Sequence, residues 1–206
     1  MRRLAIAGLL CLTFLVPGVE SSFGGKKPKK PIQERLVARI VPSESGKDGL
    51  FQAMSRNFDQ MFDSVEVVIQ EYSSDQEAQD LAQIFRSGGD DALEKAFNKT
   101  DKGYFRIGQG VTTPLVFIIS GTEGPVRKLI IAGKVPSRFG NLSGSSFSLP
   151  HIPHTYTCVG LDINEDGKGK GVLVLLANVA FDLQGRMTVK ALPNETFQLT
   201  DVHVEK

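Results

Sequence analysis

The sequence predicts an α+β fold: a mostly antiparallel β meander, curled into a barrel or packed as a sandwich, with an inserted helix–Gly-Gly–helix hairpin. Three observations predict it. From Tyr104 to Val204, short alternating or continuous apolar runs are separated by turns rich in Gly, Pro, Asn and Asp. Between Ser74 and Phe97 the apolar residues instead recur at helical spacing. With 41% hydrophobic and 23% charged residues among 206, the chain can fill a packed core and is not disordered.

The elements follow in order. Residues 1–21 read as an export signal: Arg2 and Arg3, the apolar run Leu4 to Val16, then Pro17-Gly18 and small residues, with cleavage expected after Ser21. The apolar run is too short to cross a hydrocarbon core of ~30 Å. Leu9 and Leu10 before Cys11 argue against a lipid anchor, and the Arg pair lacks twin-arginine flanks. Residues 22–34 read as a flexible basic linker, with Gly24-Gly25 and Lys26, Lys27, Lys29 and Lys30 among prolines. A single α+β domain is expected over 35–206.

Within that domain, Leu36 to Val41 is an expected strand and Leu50 to Phe62 an expected helix. Val65, Val67 and Ile69 alternate with Glu66 and Gln70, which predicts a strand with one wet face. Ser74 and Glu77 have capping-box spacing ahead of Ala78, Leu81, Ala82 and Phe85. Gly88-Gly89 ends that helix, and Asp91 and Glu94 open a shorter one through Leu93 and Phe97.

Leu115 to Ile119 is continuously apolar, so it is expected to be buried on both faces, with Val126 to Ala132 pairing back across SGTEGP. Residues 133–155 have no periodicity and read as a functional or mobile loop. Tyr156 to Ile163 puts Thr157, Val159, Leu161 and Ile163 on one face, and NEDGKGKG reads as a loop. Leu173, Leu175, Ala177, Val179, Phe181 and Leu183 are expected on a single face of the next strand. Met187 to Leu192 returns after Gln184-Gly185. Phe197 and Leu199 have the opposite parity to Val202 and Val204, so a bulge is expected near Thr200-Asp201.

The stretch VVIQEYSSDQEAQDLAQIFRSGGDDALEKAF, the strand Gly103-Tyr104-Phe105-Arg106-Ile107, the hairpin LDINEDGKGKG and the closing Leu199-Thr200-Asp201-Val202 together resemble a family of uncharacterised exported bacterial proteins of the acidobacterial type. The likeness fails across residues 108–155, and Tyr72 stands where the family usually carries Trp. The resemblance implies export and a shared fold. It implies no activity and no functional residues.

The residues offer few chemical candidates. Asp162, Asn164 and Asp166, followed by Gly167, match the opening of an EF-hand calcium loop, but Leu173 replaces the bidentate Glu, and Lys168 and Lys170 intrude. A tight hairpin turn explains the same residues. His151, His154 and Cys158 have ligand types that suit zinc, in an extended proline-flanked segment. Cys158 is the single thiol of the processed chain and reads as a buried strand residue. No nucleophile elbow or phosphate loop is present, and the paired carboxylates Asp90-Asp91 and Glu165-Asp166 read as caps and turns.

The 24 basic and 23 acidic residues divide unevenly. Export would remove Arg2, Arg3 and Glu20, leaving 22 of each sign, and the four linker lysines balance a mildly acidic domain. Nucleic acid is therefore not an expected partner, and the linker lysines are expected to attract anionic envelope surfaces weakly. No cofactor is expected. The leading expectation is a periplasmic or secreted, non-enzymatic binding or interaction domain of the bacterial envelope, with a large apolar cavity or patch. The alternatives are a metal-dependent envelope enzyme using His151 and His154, and a purely structural envelope protein with a filled core.

Overall fold

The structure, a computed structural model of the chain, describes residues 30–42, 63–136, 139–142, 145–147, 153–191 and 196–205. The expected signal segment, the expected helix over Leu50 to Phe62, and His151 lie outside the described residues.

Eleven strands and one helix are described: β1 (Glu34–Pro42), β2 (Ser64–Ile69), α1 (Asp75–Phe97), β3 (Gly103–Ile107), β4 (Thr113–Glu123), β5 (Val126–Lys134), β6 (Phe139–Leu142), β7 (Ser145–Phe147), β8 (Thr155–Ile163), β9 (Lys168–Phe181), β10 (Met187–Ala191) and β11 (Thr196–Glu205). Eight of them, in the order β9-β11-β1-β2-β3-β4-β5-β8, close on themselves because β8 pairs back to β9. Every pairing is antiparallel. The meander is therefore a barrel, not a sandwich. β10 continues the sheet beyond β9, and β6 and β7 form a separate hairpin inside the stretch expected to be a structureless loop.

An eight-stranded barrel is just wide enough for side chains to fill it. Here the inward set includes Leu36, Val67, Phe105, Leu129, Leu161 and Phe197, all buried in one cluster. At one end the inward alternation of β1 and β5 reaches Glu34 and Arg127. The Arg127 guanidinium donates to both Glu34 carboxylate oxygens, and the Tyr72 hydroxyl donates to the same carboxylate. Burial pushes the Glu34 carboxyl up, but Arg127 and Tyr72 together hold it below its usual value. This ionic plug satisfies its own groups and closes the apolar interior.

The second core lies between α1 and the outer wall of the barrel. Ala78, Leu81, Ala82, Leu93 and Phe97 of the helix pack on Phe117, Ala132, Tyr156, Cys158, Val179 and Phe181. Phe97 meets Tyr156 edge-on at 5.1 Å, and Phe181 meets Phe117 edge-on at 5.3 Å. Burial of each large side chain contributes roughly 1.5–3 kcal/mol, which is what holds a moderately amphipathic helix in place.

Several sequence expectations need correction. The helix–Gly-Gly–helix hairpin is not found: the segment forms a single helix, Asp75–Phe97, kinked at Gly89. Gly89 has φ 61° and ψ −153°, outside the helical region, but no connecting loop follows it. Ser74 does cap the helix, its hydroxyl accepting from the Glu77 N–H at 3.1 Å. The Glu77 carboxylate pairs with Lys102 at 2.7 Å, where a capping box has it turned back to the Ser74 N–H.

The second face of β2 is not wet. Val68 is fully buried, and the Glu66 side chain, 11% exposed, lies between the guanidiniums of Arg35 and Arg106 from the flanking strands. The single face expected for Leu173 to Leu183 is broken by a bulge. Two residues of β9, Leu175 and Leu176, face the single Thr157 of β8. Leu173, Leu175 and Leu176 consequently enter the barrel, whereas Ala177, Val179 and Phe181 turn under α1 and Leu183 is 71% exposed.

NEDGKGKG is a loop only as far as Gly167, because β9 already begins at Lys168. Its alternation puts Gly169 and Gly171 inward, against β8. A Cβ on Gly169 would lie 2.0 Å from the Asp162 carbonyl oxygen, and one on Gly171 2.3 Å from that of Gly160. The glycines thus allow the close approach that closes the barrel.

Other expectations match. β4 is buried on both faces through Leu115, Val116, Phe117 and Ile118. The bulge near Thr200-Asp201 is present: the register with β9 shifts between Leu199 and Val202, and Asp201 takes φ 52°.

Candidate functional site

The outer wall of the barrel carries an open groove of about 980 Å³. Asp162, Asn164 and Asp166 come from the β8–β9 hairpin, Lys168 and Lys170 from the start of β9, and Asp201 and His203 from β11. Val126 adds apolar surface. The three aligned oxygen-bearing residues picked out by the sequence therefore do share one cavity.

Local hydrogen bonds fix that hairpin. The Asn164 N–H donates to the Lys168 carbonyl at 2.7 Å, and the Gly167 N–H donates to the Asn164 carbonyl at 3.0 Å. Asp166 Oδ1 accepts the Lys168 N–H at 3.0 Å, so part of this carboxylate serves the turn. The Val204 N–H donates to the Gly167 carbonyl at 3.1 Å and ties the turn to β11.

Strand register sets the charges side by side. Asp162 is opposite Lys128 on one side and Lys170 on the other, while Lys168 is opposite His203. Lys128 Nζ lies 4.0 Å from Asp162 Oδ1. His203 Nδ1 is 2.9 Å from the Asp201 carbonyl oxygen. A carbonyl only accepts, so Nδ1 carries the proton and Nε2 is the acceptor of the neutral ring.

Among the described residues the calcium-like set gains no complete ligand shell, and the zinc set cannot be assembled because His151 lies outside them. Lys168 and Lys170 line the same groove as the calcium-like residues. Among the described residues, no group of three His, Cys, Asp or Glu side chains is arranged to hold a metal ion. Of the zinc-type residues, His154 and Cys158 are placed. His154 Nδ1 lies 3.0 Å from Glu94 and Nε2 3.4 Å from Asp91, so both ring nitrogens face carboxylates of α1. Cys158 is a free thiol beneath α1, and burial pushes it up to about 12, far from a reactive thiolate. The Tyr156 hydroxyl is buried there without a hydrogen-bond partner among the described residues. Burial first, then Glu94 and Asp90, push its pKa up.

Lys102 forms a separate charged cluster at the foot of α1. Its side chain is 6% exposed and bonds Glu71 at 2.6 Å and Glu77 at 2.7 Å. Glu71 also pairs with Lys30 at 2.5 Å, and the hydrogen bonds from Lys102 and Lys30 hold its carboxyl at about 2. Lys30 also donates to the Asp101 carbonyl, and the Gln33 N–H donates to Ile69. The end of the expected linker is thus fastened to the barrel.

Asp201 and His203 were not legible as site residues. They sit almost forty positions from the calcium-like motif, and only strand pairing unites them. The parity break near Thr200-Asp201 was the available signal, because bulges re-aim side chains.

No family model matches the chain, and neither a curated protein nor a solved structure matches it.

Proposed function

We propose that this chain is a non-enzymatic binding domain of the bacterial cell envelope, exported by its N-terminal segment, and that it binds on the outer wall of its barrel. The supporting observation is the contrast between the two surfaces of the sheet. The interior is filled by apolar side chains and plugged by Glu34 and Arg127, while the outer wall holds an open groove bordered by charged side chains. Apolar side chains fill the barrel, so an interior ligand is not part of the reading.

A filled core also suits a purely structural envelope protein. The groove is what favours binding, because side chains from three strands border one open cavity there. The linker lysines add a weak, salt-screened attraction to anionic envelope surfaces. Lys26, Lys27 and Lys29 supply it, since Lys30 is engaged with Glu71.

Fractionation of cells producing the full chain tests the reading. The expected result is a processed chain beginning near Ser22 in the periplasmic or secreted fraction, which sediments with isolated envelopes. An unprocessed chain in the cytoplasm, or a processed chain that ignores envelopes, overturns it.

A further inference from the structure

The groove's construction points to a ligand class. This step rests on the binding-domain reading and deepens it. A volume of about 980 Å³ is at the upper end of small-molecule sites, ~300–1,000 Å³. One wall is made by the β11 bulge. The extra residue, Asp201, takes φ 52°, a conformation that a side-chain-bearing residue enters at a cost. The bulge brings Asp201 and His203 to the groove while Val202 packs in the barrel and Val204 against it. The His203 ring is fixed by its bond to the Asp201 carbonyl, with Nε2 left as an acceptor.

The charges are of both signs. Lys168 and Lys170 stand among Asp162, Asp166 and Asp201 in the groove, and Asp162 is in register between Lys170 and Lys128, whose ammonium also pairs with Glu123. A strongly anionic ligand meets the carboxylates, and a cation meets the ammoniums, so neither gains a one-sided field. A neutral ligand dense in hydroxyl groups meets no such conflict. The carboxylates, the Asn164 carbonyl and His203 Nε2 accept from hydroxyls, while the ammoniums and the Asn164 amide donate to them. Val126 and the lysine methylenes offer apolar surface to C–H faces.

We propose that this groove is a carbohydrate site that takes a neutral oligosaccharide. It contains no Phe, Tyr or Trp among its described lining residues, so binding is weak, with a Kd on the order of 1 mM.

The test is titration of the full chain by calorimetry with a β-1,4-linked N-acetylglucosamine tetrasaccharide, beside hexametaphosphate and calcium chloride. The variants are Asp162→Asn, Lys170→Gln and Asp201→Gly. Glycine accepts φ 52°, so Asp201→Gly removes the carboxylate and keeps the bulge. The expected result is sugar binding that weakens ~10-fold in Asp162→Asn and Asp201→Gly, with unchanged melting temperatures. Absence of sugar binding at about 10 mM overturns the proposal. So does binding of hexametaphosphate alone, lost in Lys170→Gln, or a response to calcium alone. Sugar binding that all three variants leave intact overturns the groove but leaves the binding-domain reading standing. Cytoplasmic retention of the chain overturns that reading while groove-dependent sugar binding stands.

Discussion

The Thr157 hydroxyl donates to the Leu175 carbonyl at 2.8 Å, inside the barrel wall, where two residues of β9 face one of β8. A bulge breaks the ladder and leaves a carbonyl without its cross-strand N–H. Thr157 is buried, so water cannot serve that carbonyl. Replacing Thr157 with Val keeps the shape and removes the donor, with an expected loss of about 1–3 kcal/mol. Thr157→Ser keeps the donor and loses only a methyl, about 1 kcal/mol. Urea denaturation measures both. Equal stability of Thr157→Val and the wild type would show that the bond is not needed.

The two bulges also explain what the sequence revealed and what it hid. Near Asp201 the inward residues change parity across polar ones, Thr200 and Asp201, so the shift is visible. On β9 it falls within Leu175-Leu176-Ala177, where every residue is apolar and no parity can be read. Glu66 looks solvent-facing in the sequence because its neutralising partners, Arg35 and Arg106, lie on other strands. The calcium-like triplet was visible because its residues are local. Its groove partners were not, because barrel closure alone brings them there. Ser74 was legible as a cap, whereas the kinked course of α1 depends on how its two ends pack against the wall.

The Lys102 cluster predicts an asymmetry between its members. Lys102 is the buried charge, while Glu71 and Glu77 are partly exposed. Lys102→Met leaves carboxylates that water can solvate and is expected to cost roughly 1 kcal/mol. The double change Glu71→Gln and Glu77→Gln strands the buried ammonium and is expected to cost about 3 kcal/mol. Chemical denaturation of both variants at neutral pH compares the two. A larger loss for Lys102→Met contradicts the burial argument.

The same cluster fixes a direction of acid sensitivity. Lys102 and Lys30 depress the Glu71 carboxyl to about 2, from an ordinary value of 4.5. A depressed carboxyl contributes stability that is fully present above its unfolded value and is lost as pH falls through the folded one. The contribution of Glu71 should therefore fade between 4.5 and about 2. Stability curves of the wild type and Glu71→Gln should converge across that window. Parallel curves would remove the linkage.

The inward glycines of β9 give the last test, and it concerns how the barrel closes. A Cβ on Gly169 or Gly171 meets the backbone of β8 at 2.0 and 2.3 Å, distances that require the two strands to move apart. The Cβ of an alanine at Gly160, on the outward face of β8, meets nothing within 4 Å. Gly169→Ala and Gly171→Ala are thus expected to cost about 1–3 kcal/mol each, as overpacked positions do. Gly160→Ala should stay within about 0.5 kcal/mol of the wild type. Thermal or urea melts compare the three, and the contrast cancels the general preference of strands for alanine over glycine. Because β8 and β9 are also the strands whose pairing closes the ring, separation there should loosen the Asp162–Lys170 register that lines the groove. Amide exchange should accordingly rise at residues 160–171 in Gly169→Ala before it rises elsewhere. Uniform exchange across all strands would mean that the barrel opens as one unit, with no seam at this pair.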